Sequence, residues 1–226
     1  MQLSEQTLTI LKNFAGINSN LVFKTGNTIK TVSESKTIMG QASVVESFPY
    51  EFGVYDLNEF LGIMSMFSQP NLSFSDDQKY VLIKEGNRQV KYFFSSTGFL
   101  TTPSKDISMP PCEVTFTLSA VDMANIRKAT SALGVNNVMI SVKEGKGANI
   151  IVTDISDPTS NSYEMKLGDC SYPDVDCEFV FDVGNFKFIV DDYDVCLSSK
   201  LISNFKAKNN PIEYWVALQS GKVNGG

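Results

Sequence analysis

The stretch VYDLNEFLGIMSMF, residues 54–67, has a shortened echo in VFDVGNFKFIV, residues 180–190. Both run aromatic, Asp, aliphatic, two residues, Phe, two residues, Ile. Asp56 and Asp182 end short alternating runs, where a side-chain oxygen can accept a hydrogen bond from an unpaired amide of a first helical turn. After Asp56 the apolar residues Leu57, Phe60, Leu61, Met64 and Phe67 fall on one face of a helix. After Asp182 come Val183, Phe186, Ile189 and Val190, which predict a shorter helix.

Two more caps of this kind exist. Ser4 ends QLS and precedes Leu8, Ile10, Leu11 and Phe14. Ser119 ends VTFTLS and precedes Met123, Ile126 and Leu133, with alanines at 124, 129 and 132. The four caps are 52, 63 and 63 residues apart. Each set also holds a turn marked by a lysine: Lys24, Lys84, Lys143 and Lys206, spaced 60, 59 and 63 residues. Glycine or asparagine in these turns supplies the positive φ of a tight hairpin. Two markers in phase give a unit of about 60 residues repeated four times. Each unit reads as strand, helix, then strands. Alternation in EVTFTL and YEFGVY predicts antiparallel sheets with one buried face, and the helices need that face. The fold class is therefore α+β, with two similar domains, each carrying two helices on antiparallel sheets. The expected boundaries are 1–98 and 113–226, joined by a connector over 99–112 that contains Pro103, Pro110 and Pro111. A unit with free strand edges can continue its sheet into the next copy, and a head-to-tail contact closes into a ring when the rotation permits.

Composition narrows the function. The chain has 226 residues, 42% of them hydrophobic, with 16 Phe and 8 Tyr, enough for one or two cores. It has no histidine, which removes the commonest general acid–base and the commonest metal ligand. There is no phosphate-binding glycine loop, nucleophile elbow or metal-ligand spacing. The expectation is a non-enzyme with no cofactor and no metal. Cys112, Cys170, Cys177 and Cys196 match no zinc pattern, and four reduced thiols are expected. No stretch approaches the roughly 18–20 apolar residues of a membrane span, and the start MQLSEQTLTIL has no secretory character. These features predict a soluble, intracellular protein without membrane contact.

The chain resembles the sliding clamps of T-even-like bacteriophages, the processivity factors of replicative DNA polymerase. The resemblance is carried by LKNFA at 11–15, YDLNEFLGI at 55–63, VKEGK at 142–146, LGD at 167–169 and YWVAL at 214–218, in that order. It covers almost the whole chain. It implies the DNA-clamp fold and a homotrimeric ring, with sheets outside and helices lining a hole that duplex DNA threads. It also implies tethering of the polymerase to its template, loading by an ATP-driven clamp loader, and a place in the cytoplasm of the infected bacterial host.

Sliding requires weak contacts indifferent to sequence, which lysine and arginine facing phosphates provide. The candidates on the exposed helix faces are Lys12, Arg127, Lys128 and Lys187. Lys24, Lys143 and Lys146 in the turns are candidates for the rim of the hole. The competing reading of each is a solvated surface charge. The net charge of −6 places the acidic balance mostly outside, where it would repel DNA from the outer wall. The resemblance further implies a pocket beside the connector for hydrophobic tails of the polymerase and other partners. Leu100, Ile107, Met109 and Pro110 are its candidates, with Trp215 and Val216 in the same region; the competing reading is that they pin the connector to a sheet. The acidic runs GDCSYPDVDCE and DDYD read as surface loops, since neither has the glycine-centred loop of an EF-hand. The alternative function is a structural ring or tube subunit of a phage virion, which strand-rich repeats would also suit.

Overall fold

The computed structural model describes residues 1–223, and the chain divides into two compact units, Met1–Asp106 and the remainder from Ile107. The first unit runs α1 (Glu5–Ile17), β1 (Leu21–Phe23), β2 (Gly26–Val32), β3 (Ile38–Phe48), β4 (Phe52–Val54), α2 (Leu57–Met64), β5 (Asn71–Phe74), β6 (Tyr80–Glu85) and β7 (Arg88–Phe93). The second runs β8 (Val114–Leu118), α3 (Ala120–Leu133), β9 (Asn137–Lys143), β10 (Gly147–Thr153), β11 (Tyr163–Lys166), β12 (Cys170–Ser171), β13 (Cys177–Asp182), β14 (Tyr193–Ser198), β15 (Ile202–Ala207), β16 (Ile212–Ala217) and β17 (Ser220–Val223). All pairings between these strands within a unit are antiparallel.

Three of the four anticipated helices form, each from its anticipated cap. Ser4 accepts from the Thr7 amide, Asp56 from the amides of Asn58 and Glu59, and Ser119 from the Asp122 amide. The Ser4 cap has a second tie. Glu46, buried on β3, accepts from the Ser4 amide and from the Thr7 hydroxyl. A carboxylate at a helix N-terminus is favoured by the helix dipole as well as by these donors. The stripe Ile10, Leu11, Phe14 and Ile17 is buried, and Phe14 presses on β3 so closely that a Cβ at Gly40 would lie 2.9 Å from its ring. Gly134, at φ 67°, ends α3 in the left-handed conformation that glycine adopts without strain. Three expected stripe leucines, Leu8, Leu61 and Leu133, are only half-buried, and Thr130 is buried in α3.

The fourth helix is absent. Asp182 does cap as expected, accepting from the Gly184 amide at 2.8 Å, but only a single 3₁₀ turn, Val183–Asn185, follows. Phe186 and Phe188 are both buried against Phe205, with centroids 5.8 and 4.7 Å from its ring. Residues two apart point about 200° apart round a helix but to one side of an extended chain, so burying both rings requires extension. Gly184 and three β-branched residues, Val183, Ile189 and Val190, also weaken the helix. The freed backbone groups are satisfied by side chains. Arg127 donates through Nη2 to the carbonyls of Phe186 (2.9 Å) and Phe188 (3.2 Å). Tyr193 donates to the Ile189 carbonyl at 2.7 Å, and the Ile189 amide donates to the Tyr214 hydroxyl at 3.3 Å. Burial pushes both phenols above their ordinary range.

The lysine-marked turns also divide. Lys84, Lys143 and Lys206 end strands that enter the hairpins β6–β7, β9–β10 and β15–β16. Lys24 instead sits at a corner, because β1 pairs with β4 while β2 pairs with β3. Gly26, at φ 103°, makes that change of sheet possible. In the first unit β5 and β7 are the outer strands of the sheet β5-β6-β7. In the second, β11 and β17 are the outer strands of β11-β10-β9-β13-β17. A further correction concerns the thiols: Cys112 and Cys196 are joined in a disulfide with Cα atoms 5.6 Å apart, while Cys170 and Cys177 are free. Among the described residues, no helix is long and apolar enough to cross a membrane.

Candidate DNA-facing and partner-binding residues

The basic candidates fall into three settings. In the second unit, α3 presents Arg127 and Lys128. Arg127 holds the two carbonyls that flank Lys187, so the three cations share one neighbourhood. Lys128 and Lys187 are exposed. Arg127 has a structural duty that the sequence did not reveal, because its partners are carbonyls freed by a helix that was expected to form.

In the first unit Lys12 lies on the exposed side of α1, at a groove of about 370 Å³ between α1 and α2 lined also by Leu8, Leu61 and Met64. The turn lysines are differently occupied. Lys24 pairs with Glu51. Lys143 donates to Glu178 at 3.2 Å and Asp176 at 3.3 Å, and those bonds raise its pKa. Their fields are therefore largely met by carboxylates, while Lys146 is exposed on the same hairpin. The same geometry accounts for two of the acidic residues, since Asp176 and Glu178 serve Lys143. Asp191 is buried and accepts from Asn209 and Asn210, which hold its carboxyl below the usual range against the opposing effect of burial.

The pocket candidates separate as well. Leu100 is buried within the first unit, where its Cδ1 lies 2.6 Å from the position a Cβ would take on Gly53. Only glycine at 53 leaves it room. Ile107, Met109 and Pro110 are half-buried in an irregular stretch of the second unit. Strand register decides the other two. Thr115 on β8, Cys196 on β14, Asn204 on β15 and Trp215 on β16 are successive cross-strand partners, so their side chains share one face. Val216, the next residue, faces the opposite way and is 0% exposed, opposite Ser203, whose hydroxyl donates to the Val216 carbonyl at 2.8 Å. Val216 thus belongs to the core and not to the face that carries Trp215. The Trp215 indole nitrogen is buried without a hydrogen-bond partner. A shallow groove of about 660 Å³ runs over this sheet, lined by Thr115, Cys196, Asn204 and Lys206 among others.

The second unit thus carries cations around α3 and, on β16, a buried Trp215 on the face that also bears Cys196. Residues 4–96 match the DNA polymerase processivity factor family, and residues 115–220 match the gp45 sliding clamp, C terminal, family. The sliding clamp of Vibrio phage KVP40 is 30% identical over 97% of this chain and 100% of its own length. The chain belongs to the sliding-clamp family. The sliding clamp of Enterobacteria phage T4 is 28% identical to it over 88% of each chain. Among solved structures, the proliferating cellular nuclear antigen of Entamoeba histolytica superposes with a TM-score of 0.68 over 96% of this chain and 97% of that one, at 14% identity. That likeness shows the two-domain clamp fold. These matches give the virion-subunit alternative no support, and processivity in DNA replication is the function of the family to which the clamp belongs.

Proposed function

We propose that copies of this chain close into a ring, a homotrimer, that encircles duplex DNA and tethers the replicative polymerase to it in the cytoplasm of the infected host. The observation that supports the ring is that each unit has a sheet ending on an outer strand, β7 in one unit and β11 in the other. An edge strand presents unpaired N–H and C=O groups that invite another strand. The outer face of the β7 edge carries Lys91 and the 61%-exposed Phe93, and the β11 edge offers the exposed Glu164 as a partner of opposite charge. An edge of each kind on every chain generates a head-to-tail contact, which closes when the rotation permits. A clamp loader is required because a closed ring cannot pass over DNA unaided.

The work is topological and calls for no catalytic group. Lys12, Arg127, Lys128 and Lys187 face the duplex and hold it through phosphates, which leaves the ring free to slide. Lys24, Lys143 and Lys146 contribute less, because Lys24 and Lys143 are paired. The connector over 99–112 separates two clamp domains, and partner tails dock beside Met109, Pro110 and Trp215. The test is a salt titration of DNA affinity for Lys128→Ala with Lys187→Ala, loaded on closed circles. The slope of log affinity against log salt falls by roughly one for each phosphate contact removed. An unchanged slope removes both residues from the hole.

A further inference from the structure

The disulfide sits where a reversible bond could act on a loosely anchored segment. Cys112 is exposed and ends an irregular stretch; Cys196 lies on β14, on the face shared with Trp215. Among the described residues, Ile107–Cys112 make no backbone–backbone hydrogen bond, and the next anchor is Glu113. The Glu113 amide donates to the Leu197 carbonyl at 2.9 Å, and its carboxylate accepts from the Ser199 amide and hydroxyl. On the other side, the Asp106 side chain pairs with Lys30 while remaining largely exposed. Exposed ion pairs restrain a chain weakly. The covalent bond thus ties 107–112 to its sheet where, among the described residues, no backbone hydrogen bond does.

We infer that Cys112 and Cys196 form a redox clasp, which pins the 107–112 segment to the Trp215 face when oxidised and frees it when reduced. An exposed disulfide is open to attack by a thiolate, and disulfides in reducing compartments are usually transient or sensing ones. The oxidant is a low-molecular-weight disulfide such as glutathione disulfide. The Cys112 thiolate attacks it, expelling one glutathione thiolate and leaving a mixed disulfide on Cys112. The Cys196 thiolate then attacks the Cys112 sulfur and expels the second. Two protein thiols are oxidised, one disulfide is reduced to two thiols, and the protons pass to solvent. Two equivalents of glutathione reverse the sequence. Cys170 and Cys177 lie outside the bond, and burial pushes both thiols up, away from reactivity.

The inference rests on the proposed function for its reducing compartment and for its consequence: if tails dock beside Met109, the clasp gates them. The full chain is equilibrated across glutathione ratios, acid-quenched, alkylated in denaturant and weighed, with native trypsin nicking after Lys105 followed in parallel. The expected thiol number moves reversibly between four and two. Nicking is expected to be about tenfold faster in the reduced form, since cleavage follows the population of locally opened chain. Cys112→Ser is expected to nick at the reduced rate in every buffer. Four thiols throughout, two thiols in excess dithiothreitol, or one nicking rate for both forms would each overturn the clasp. A clasp that passes while polymerase-tail affinity ignores redox state overturns the pocket reading alone.

Discussion

Glu46 shows how one side chain can set the start of a helix. It is buried, which by itself pushes its pKa up, yet hydrogen bonds from Thr7 and Ser4 outweigh burial and hold the carboxyl below its ordinary value. A depressed folded-state pKa contributes stability that is present above the unfolded value near 4.5 and is lost as pH falls through the folded one. Glu46→Gln should cost about 1.5–3 kcal/mol at pH 7, the scale of hydrogen bonds to a charged group. In urea unfolding the variant should also lose less stability than the parent between pH 5 and 3 (about the range where a carboxylate protonates). Equal acid sensitivity would contradict the assignment. Met109→Asp belongs to the same scale. It should weaken tail binding, read by fluorescence polarisation, about tenfold or more with the ring intact, since it would replace an apolar side chain of the proposed docking segment by a charge. Unchanged affinity would misplace the pocket. The sequence showed Ser4, Asp56 and Ser119 as caps because capping is local chemistry. Glu46 lies 42 residues from Ser4, so only the fold could bring them together. Cys112 and Cys196 are 84 apart and equally silent.

At the scale of elements, three helices and three lysine-marked hairpins were legible because each rests on neighbours in the chain. The fourth helix was not, and the reason is a tertiary preference overriding a local one. A cap and a stripe favoured a helix after Asp182, but two phenylalanines at alternate positions had a ring-lined core to enter. Arg127, Tyr193 and Tyr214 then supplied the hydrogen bonds a helix would have made. Register explains a second departure: adjacent strand residues face opposite ways, so Trp215 and Val216 could not both line one pocket. The free edges carry the element-scale prediction. In the proposed contact, Phe93→Asp with Lys91→Glu would remove an exposed apolar side chain and reverse the charge offered to Glu164. Each unit should keep its circular dichroism spectrum while assembly weakens by a hundredfold or more, read by sedimentation equilibrium, because like charges and a desolvated carboxylate now meet. Unaltered assembly would put the contact on another edge.

For the whole molecule, the proposed ring asks an acidic chain to hold a polyanion, which needs cations that are not neutralised by its own carboxylates. The structure gathers Arg127, Lys128 and Lys187 around α3, and it pairs Lys24 and Lys143 with carboxylates. In the proposed ring, a weakly attractive hole would suit a grip that is topological rather than adhesive. The most direct test is the mass of the assembled particle in solution, by light scattering or sedimentation. The account predicts a closed species of three 24.9 kDa chains that dissociates cooperatively on dilution. A monomer at every concentration, or an open series of ever larger species, would contradict it.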